Sequence, residues 1–151
     1  MNSRVQNIKI TKTKDYSIFN KLAKKTGLEV ADSRNFSNGW IAIHKEVCIG
    51  GISLKTDGKK YFLDMIAVDK KFQKSGVGKR LMFFLLEYLK KRKVRELYVD
   101  TKVPKFFRKF CFKRIPRSKS PKFSDCWNCP KYGRSCFPVH MMLELKHVKF
   151  N

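Results

Sequence analysis

From Tyr61 to Val68 nearly every position is apolar, and Asp64 is the one charged residue in the run. Such a stretch predicts a strand buried on both faces, central to a sheet. In simple alternation Tyr61, Leu63, Met65 and Ala67 share one face, and Phe62, Asp64, Ile66 and Val68 the other. After Gly76-Val77-Gly78 the period changes. Val77, Leu81, Phe84, Leu85, Tyr88 and Leu89 recur at helical spacing, with Lys90, Lys91, Arg92 and Lys93 as a cationic end that suits the helix dipole. Ile8 to Ile10 reads as a first strand. A helix follows, capped by Thr13 or Asp15, with Tyr16, Phe19, Leu22 and Ala23 on one face and Gly27 at its end. Residues 28–39 lack periodicity and read as a connection. Segments 40–43 and 47–54 look like a strand pair, and Asp57-Gly58 is a tight-turn dipeptide leading into the apolar run. Later elements are a strand at 94–101, a short helix near 106–110, a strand near 112–115 and a closing strand at 139–148. Helices mixed with strands around one sheet predict a single α/β (α+β) domain over residues 1–151.

Charge changes this picture. The 151 residues carry 35 Lys and Arg against 12 Asp and Glu, a formal net charge of +23. Such a field attracts polyanions and repels cationic substrates such as polyamines. Nucleic acid, or a protein bound to it, is one partner that the charge suggests; the phosphates of a nucleotide cofactor are another, and a solvated basic surface is the plain alternative. No apolar run approaches the roughly 18–20 residues that cross a bilayer, and residues 1–7 contain no signal-peptide core. The expectation is a soluble, cytoplasmic protein with no membrane partner.

Gln73-Lys74-Ser75-Gly76-Val77-Gly78-Lys79 joins the buried strand to the long helix. Backbone N–H groups at a helix N-terminus, unobstructed where glycines stand, cradle phosphate oxygens; an ordinary glycine-bearing turn is the alternative. A Walker A loop is excluded, since Gln73 stands where its first glycine belongs and Arg80 where it needs Ser or Thr. A dinucleotide fingerprint fails too, because its third glycine falls on Leu81.

The complete segment from Leu63 to Met82 resembles the acetyl-CoA-binding motif of the GNAT superfamily of N-acetyltransferases, Gln/Arg-x-x-Gly-x-Gly/Ala after a strand ending in Val. Phe106-Phe107-Arg108-Lys109-Phe110-Cys111-Phe112 is similar to that family's later Phe-Tyr-x-x-x-Gly-Phe segment, and the order of elements over residues 8–148 agrees. The resemblance implies a GNAT-like fold, a mixed and mostly antiparallel sheet flanked by helices, with acetyl-CoA as cosubstrate. It implies that the backbone of Gln73, Lys74, Ser75, Gly76, Val77, Gly78 and Lys79 holds the CoA pyrophosphate. It further implies that the backbone of Ile66, Ala67 and Val68 pairs with the pantetheine arm at a splay in the sheet, with Asp64 and Phe107 facing the acyl end.

Acetyl transfer requires a neutral amine. A lysine-like amine, at about 10.4, is almost wholly protonated at neutral pH, and an α-amino group at about 8 much less so. A general base is therefore useful, and Asp64 is the candidate, since many members of the family resembled carry an acid near this point. Orienting the amine or satisfying a nearby donor are the other readings of Asp64. Where the family commonly has a Tyr to protonate the departing thiolate, this chain has Phe107, which has no proton to give, and the family's Gly is Cys111. A thiol at about 8.5 is a tolerable leaving group without that help.

Three of the five cysteines stand between residues 118 and 138. Cys126-Trp127-Asn128-Cys129, with Cys136 and His140 beyond, carries spacing that suits a zinc ion, with Cys111 a competitor for the fourth position. A disulfide and free buried thiols are the alternatives. The functional reading is an N-acetyltransferase moving an acetyl group from acetyl-CoA to a primary amine of a small molecule, peptide or protein. The alternative is a CoA-binding, nucleic-acid-associated module with little catalysis, in which the basic segment 102–117 offers Phe106, Phe107, Phe110 and Phe112 for stacking; core packing is the competing role for those rings.

Overall fold

The computed structural model describes residues 7–28, 32–124 and 126–148. Seven strands form one sheet: β1 (Ile8–Thr13), β2 (Phe36–His44), β3 (Val47–Thr56), β4 (Tyr61–Val68), β5 (Glu96–Thr101), β6 (Lys113–Arg114) and β7 (Val139–Glu144). Their spatial order is β1-β2-β3-β4-β5-β7-β6, and only the β4–β5 pair is parallel. The helices are α1 (Tyr16–Thr26), α2 (Val77–Lys91) and α3 (Pro104–Arg108).

The first helix is fixed at both ends by its own sequence. Asp15 accepts a hydrogen bond from the Ser17 N–H, and Gly27 closes the helix in the left-handed conformation at φ 79°. β2 begins at Phe36, inside the stretch that lacked a readable pattern. Its Ser37-Asn38-Gly39 start is a poor strand former in isolation. Packing decides instead: Asn38 is buried and donates to the Tyr88 hydroxyl at 2.6 Å, and a Cβ at Gly39 would stand 2.1 Å from the Phe19 ring.

The sheet's two faces are occupied differently. One carries α2, whose Leu81, Leu85 and Leu89 are fully buried in a core with Leu54, Leu63, Val99 and Met141. Phe84 lies off that stripe, 40% exposed beside Phe83. The other face is shared. Over β3 lies α1, whose Phe19 and Leu22 meet Gly51. Toward β5 lies the Pro- and Cys-bearing segment, where Phe123 meets Phe62 edge-on at 6.1 Å. The rings of 102–117 pack inward: Phe107 and Phe112 are buried, and Phe106 and Phe110 pack against the same core. β7 ends at Glu144 in a short 3-10 turn over Leu145–His147, earlier than the alternation to Val148 suggested.

Candidate active site

β4 is irregular on both of its edges at one residue. Against β3, Met65 pairs with Ser53 while Leu63 pairs with Leu54, so Asp64 is an extra residue, a β-bulge. Against β5 the pairing stops at Leu63 with Val99, although both strands continue. The sheet forks there. The slip also changes which side chains share a face: Leu63 lies in the α2-side core with Ile66 and Val68 packed against it, whereas strict alternation puts Leu63 opposite those two. A strand apolar at nearly every position gives a one-residue slip no signature in its pattern.

At the bulge the Asp64 carboxylate accepts from the Tyr16 hydroxyl and from the Ser53 hydroxyl, each at 3.2 Å, and lies 3.5 Å from the Lys55 ammonium. The side chains of Lys55 and Asp64 are 2% and 5% exposed, so the charge pair is buried and ties β3 and β4 to the start of α1. Lys55 drew no attention in the sequence because a lysine near a turn is ordinarily solvated.

Asp100 performs the matching task on the other limb of the fork. It stands directly across from His140 in the β5–β7 register. Its carboxylate accepts from His140 Nδ1 at 2.6 Å, from Ser120 at 3.2 Å and from Ser124. On the other side of the ring, Nε2 lies 2.7 Å from the Tyr132 hydroxyl. The Arg117 guanidinium stacks on the Tyr132 ring at 3.9 Å and on Trp127 at 4.8 Å, holding the Cys-bearing segment to itself. The Cys126 thiol faces Asp100; burial first and the carboxylate's charge second push it up to about 12. Between the limbs opens a pocket of about 390 Å³, lined by Asp64 and Asp100, by Tyr16 from α1, by Phe107 and by the three clustered cysteines.

Below the fork, Asp69 caps the 3-10 turn Lys70–Phe72 through the Lys71 N–H. The chain then turns through Lys74 at φ 67° and Gly76 at φ 89° into α2. No side chain caps that helix, and Gly76 has open space around its α-carbon. A fifteen-residue helix thus presents its first N–H groups and the positive end of its dipole at a loop bearing Lys74 and Lys79. This donor set fits a phosphate-bearing ligand.

Residues 9–112 match the model of the acetyltransferase (GNAT) family. The chain belongs to that family. It is accordingly an acetyl-CoA-dependent N-acetyltransferase. A GNAT-family acetyltransferase from Staphylococcus aureus Mu50 superposes at a TM-score of 0.65 with 17% identity, over 91% of this chain and 99% of that one. The ribosomal-protein-S18-alanine N-acetyltransferase of Escherichia coli does so at 0.68 with 14% identity, over 95% and 99%. Arabidopsis thaliana Naa50, in complex with the bisubstrate analogue CoA-Ac-MVNAL, gives 0.68 with 13% identity, over 91% and 99%. At these identities the likeness is one of fold, a single mixed sheet with flanking helices.

In this acetyltransferase the residues expected at the site fall into two groups. Asp64 and Phe107 both line the pocket, and Ile66 does so from the limb of the fork that continues to Ala67 and Val68. Gln73 through Lys79 form the turn and first residues of α2. The expected zinc ligands come together only in part. Cys126, Cys129 and Cys136 line the pocket, but both ring nitrogens of His140 are engaged, by Asp100 and Tyr132. Among the described residues no group of three or more His, Cys, Asp or Glu side chains is arranged to hold a metal ion. The cysteines of this segment are unpaired. Among the described residues no helix is long and apolar enough to cross a membrane.

Proposed function

We propose that this acetyltransferase acetylates a primary amine within the pocket between the two limbs of the fork, with Asp64 as the proton acceptor. The observation that carries this is the position of Asp64, a bulge residue at the point where β4 and β5 part. Beyond it the β4–β5 ladder does not extend along residues 65–68, so the backbone edge at Ile66, Ala67 and Val68 suits an extended pantetheine arm. The uncapped end of α2 and its glycine turn suit the pyrophosphate.

Bound acetyl-CoA supplies the thioester carbonyl. The amine nitrogen bonds to that carbon, the C–S bond breaks, and the sulfur leaves with its electron pair as a thiolate. The nitrogen proton, made acidic by N–C bond formation, passes to Asp64, which Lys55 and the two hydroxyls hold in place. Phe107 shapes the wall and donates no proton.

Chromatographic measurement of CoA formed from acetyl-CoA across a panel of amines and peptides tests the reading. Asp64→Asn is expected to bind acetyl-CoA like the parent while transfer falls by about 10²-fold or more. Parent-like turnover of Asp64→Asn at every pH removes Asp64 from the reaction. Failure of the parent chain to bind acetyl-CoA removes the whole reading. The nucleic-acid-associated module keeps the net charge of +23 in its favour, but Phe107 and Phe112 are buried and Phe106 and Phe110 pack against the core, which favours packing over stacking for these rings.

A further inference from the structure

The exposed apolar side chains of this very basic chain are not scattered evenly. Among the described residues six large ones are exposed: Leu28, Val47, Phe83, Phe84, Val103 and Phe137. Leu28 and Val103 line the pocket at the fork, 43% and 60% exposed. The two come from separate parts of the chain: the residue after Gly27 and the residue before α3. Exposed apolar side chains meeting at one cavity mouth from two directions mark a surface that is covered in use.

The interior agrees with the rim. Phe19, Phe62, Val99 and Phe107 line it, and its two carboxylates are already answered. Lys55, Tyr16 and Ser53 meet Asp64; His140, Ser120 and Ser124 meet Asp100. A polyamine therefore finds no unspent negative charge inside, and the field of a +23 chain opposes its approach. A free amino acid or dicarboxylate needs a cationic clamp, and Lys102 is the one cationic side chain among the described lining residues; the lining has no arginine fork. An ammonium of alkylamine type, at about 10.4, must shed its proton before reacting, whereas an α-amino group at about 8 is partly neutral already.

We infer that the acceptor is the α-amino terminus of a polypeptide whose leading side chains are apolar, lying across the rim formed by Leu28 and Val103. This inference rests on the pocket being the acetyl-transfer site. The amine enters between the limbs toward Asp64, and the side chains that follow it cover Leu28 and Val103.

The test uses the full chain with acetyl-CoA and four acceptors: a free-amine Met-Leu-Phe-Ala peptide, phenethylamine, spermidine and L-glutamate, with CoA release as the readout. The expected kcat/KM for the peptide exceeds that for spermidine and glutamate by about 50-fold or more, the worth of burying one to two apolar side chains. Val103→Glu, a change at an exposed position, is expected to cut the peptide's advantage over spermidine by about tenfold while acetyl-CoA affinity stays within twofold, the size of one charge contact. Equal turnover of spermidine or glutamate overturns the inference, as does phenethylamine matching the peptide, or a Val103→Glu variant with unchanged preference. Should none of the four be acetylated, calorimetry of the peptide against the CoA complex decides: no heat overturns the acceptor assignment. Acetyl-CoA itself failing to bind would instead overturn the function assigned to the fork.

Discussion

Asp64 and Asp100 each stand one residue beyond the last paired positions of β4 and β5, Leu63 and Val99, so that two carboxylates flank the opening of the fork. Each fastens a different wall of the same pocket. Asp64 holds the start of α1 through Tyr16, and Asp100 holds the Cys-bearing segment through Ser120, Ser124 and, by way of His140, Tyr132. The pocket is bounded by two ion-centred clasps joined by two strands that part.

The Lys55–Asp64 clasp carries a stability prediction. Lys55→Met leaves a buried carboxylate without its cation and is expected to cost about 3–5 kcal/mol of unfolding free energy. Lys55→Met combined with Asp64→Asn removes both charges and recovers most of that loss. Urea denaturation of the four proteins measures it; additive effects of the two substitutions would show that the pair is not coupled.

Cys126 predicts a reactivity pattern. With its thiol pushed up to about 12 by burial and by Asp100, it stays protonated at pH 8 and resists iodoacetamide. Asp100→Asn removes one cause of the shift and speeds its alkylation, read by peptide mass spectrometry. The sign for stability follows from the same direction. The unfolded thiol ionises near its ordinary value of about 8.5 and the folded one much higher, so this contribution is complete below about pH 8 and declines as pH rises toward 12. Thermal denaturation should report a smaller loss of Tm between pH 8 and pH 10 in Cys126→Ser than in the parent.

Gly76→Ala separates conformation from crowding at the turn into α2. Nothing lies within 4 Å of the added Cβ, while φ is 89°, so the substitution strains the turn without blocking it. A cost of about 1 kcal/mol is expected, with acetyl-CoA affinity lowered about fivefold in calorimetry. Gly58→Ala, at φ 92° and also in open space, gives a similar loss of stability with acetyl-CoA affinity unchanged.

Phe107→Tyr restores a hydroxyl where the family commonly carries one. The ring is buried against Phe106 and Phe112 and borders the pocket, so the added oxygen has the cavity to enter. The expected result is a severalfold rise in kcat at saturating acetyl-CoA, well below the roughly 10²-fold of a required general acid, because a thiol at about 8.5 already leaves readily. An unchanged kcat would show that the departing thiolate needs no proton from this wall.

The bounds of β4 and the start of α2 were legible because a run of apolar residues and a glycine turn both write themselves locally. The bulge at Asp64 was not. A strand apolar on both faces looks the same in either phase, and only pairing with Ser53 and Leu54 reveals the extra residue. β2 was missed at its start for a related reason, since Asn38 and Gly39 are strand residues by virtue of Tyr88 and Phe19, which lie far away in sequence. His140 was read as a metal ligand from its spacing to cysteines. Its partner Asp100 is forty residues distant, and the β5–β7 register that joins them is written in no local pattern.

The insertion of β7 between β5 and β6 also orders the protein's assembly in time. β1 through β4 are joined by successive antiparallel pairings and can form while the later chain is still being synthesised, and α2 can close over them. The Asp100 clasp must await residue 140. A nascent chain can therefore complete the half of the sheet that leads into the glycine turn before the pocket wall that Asp100 fastens.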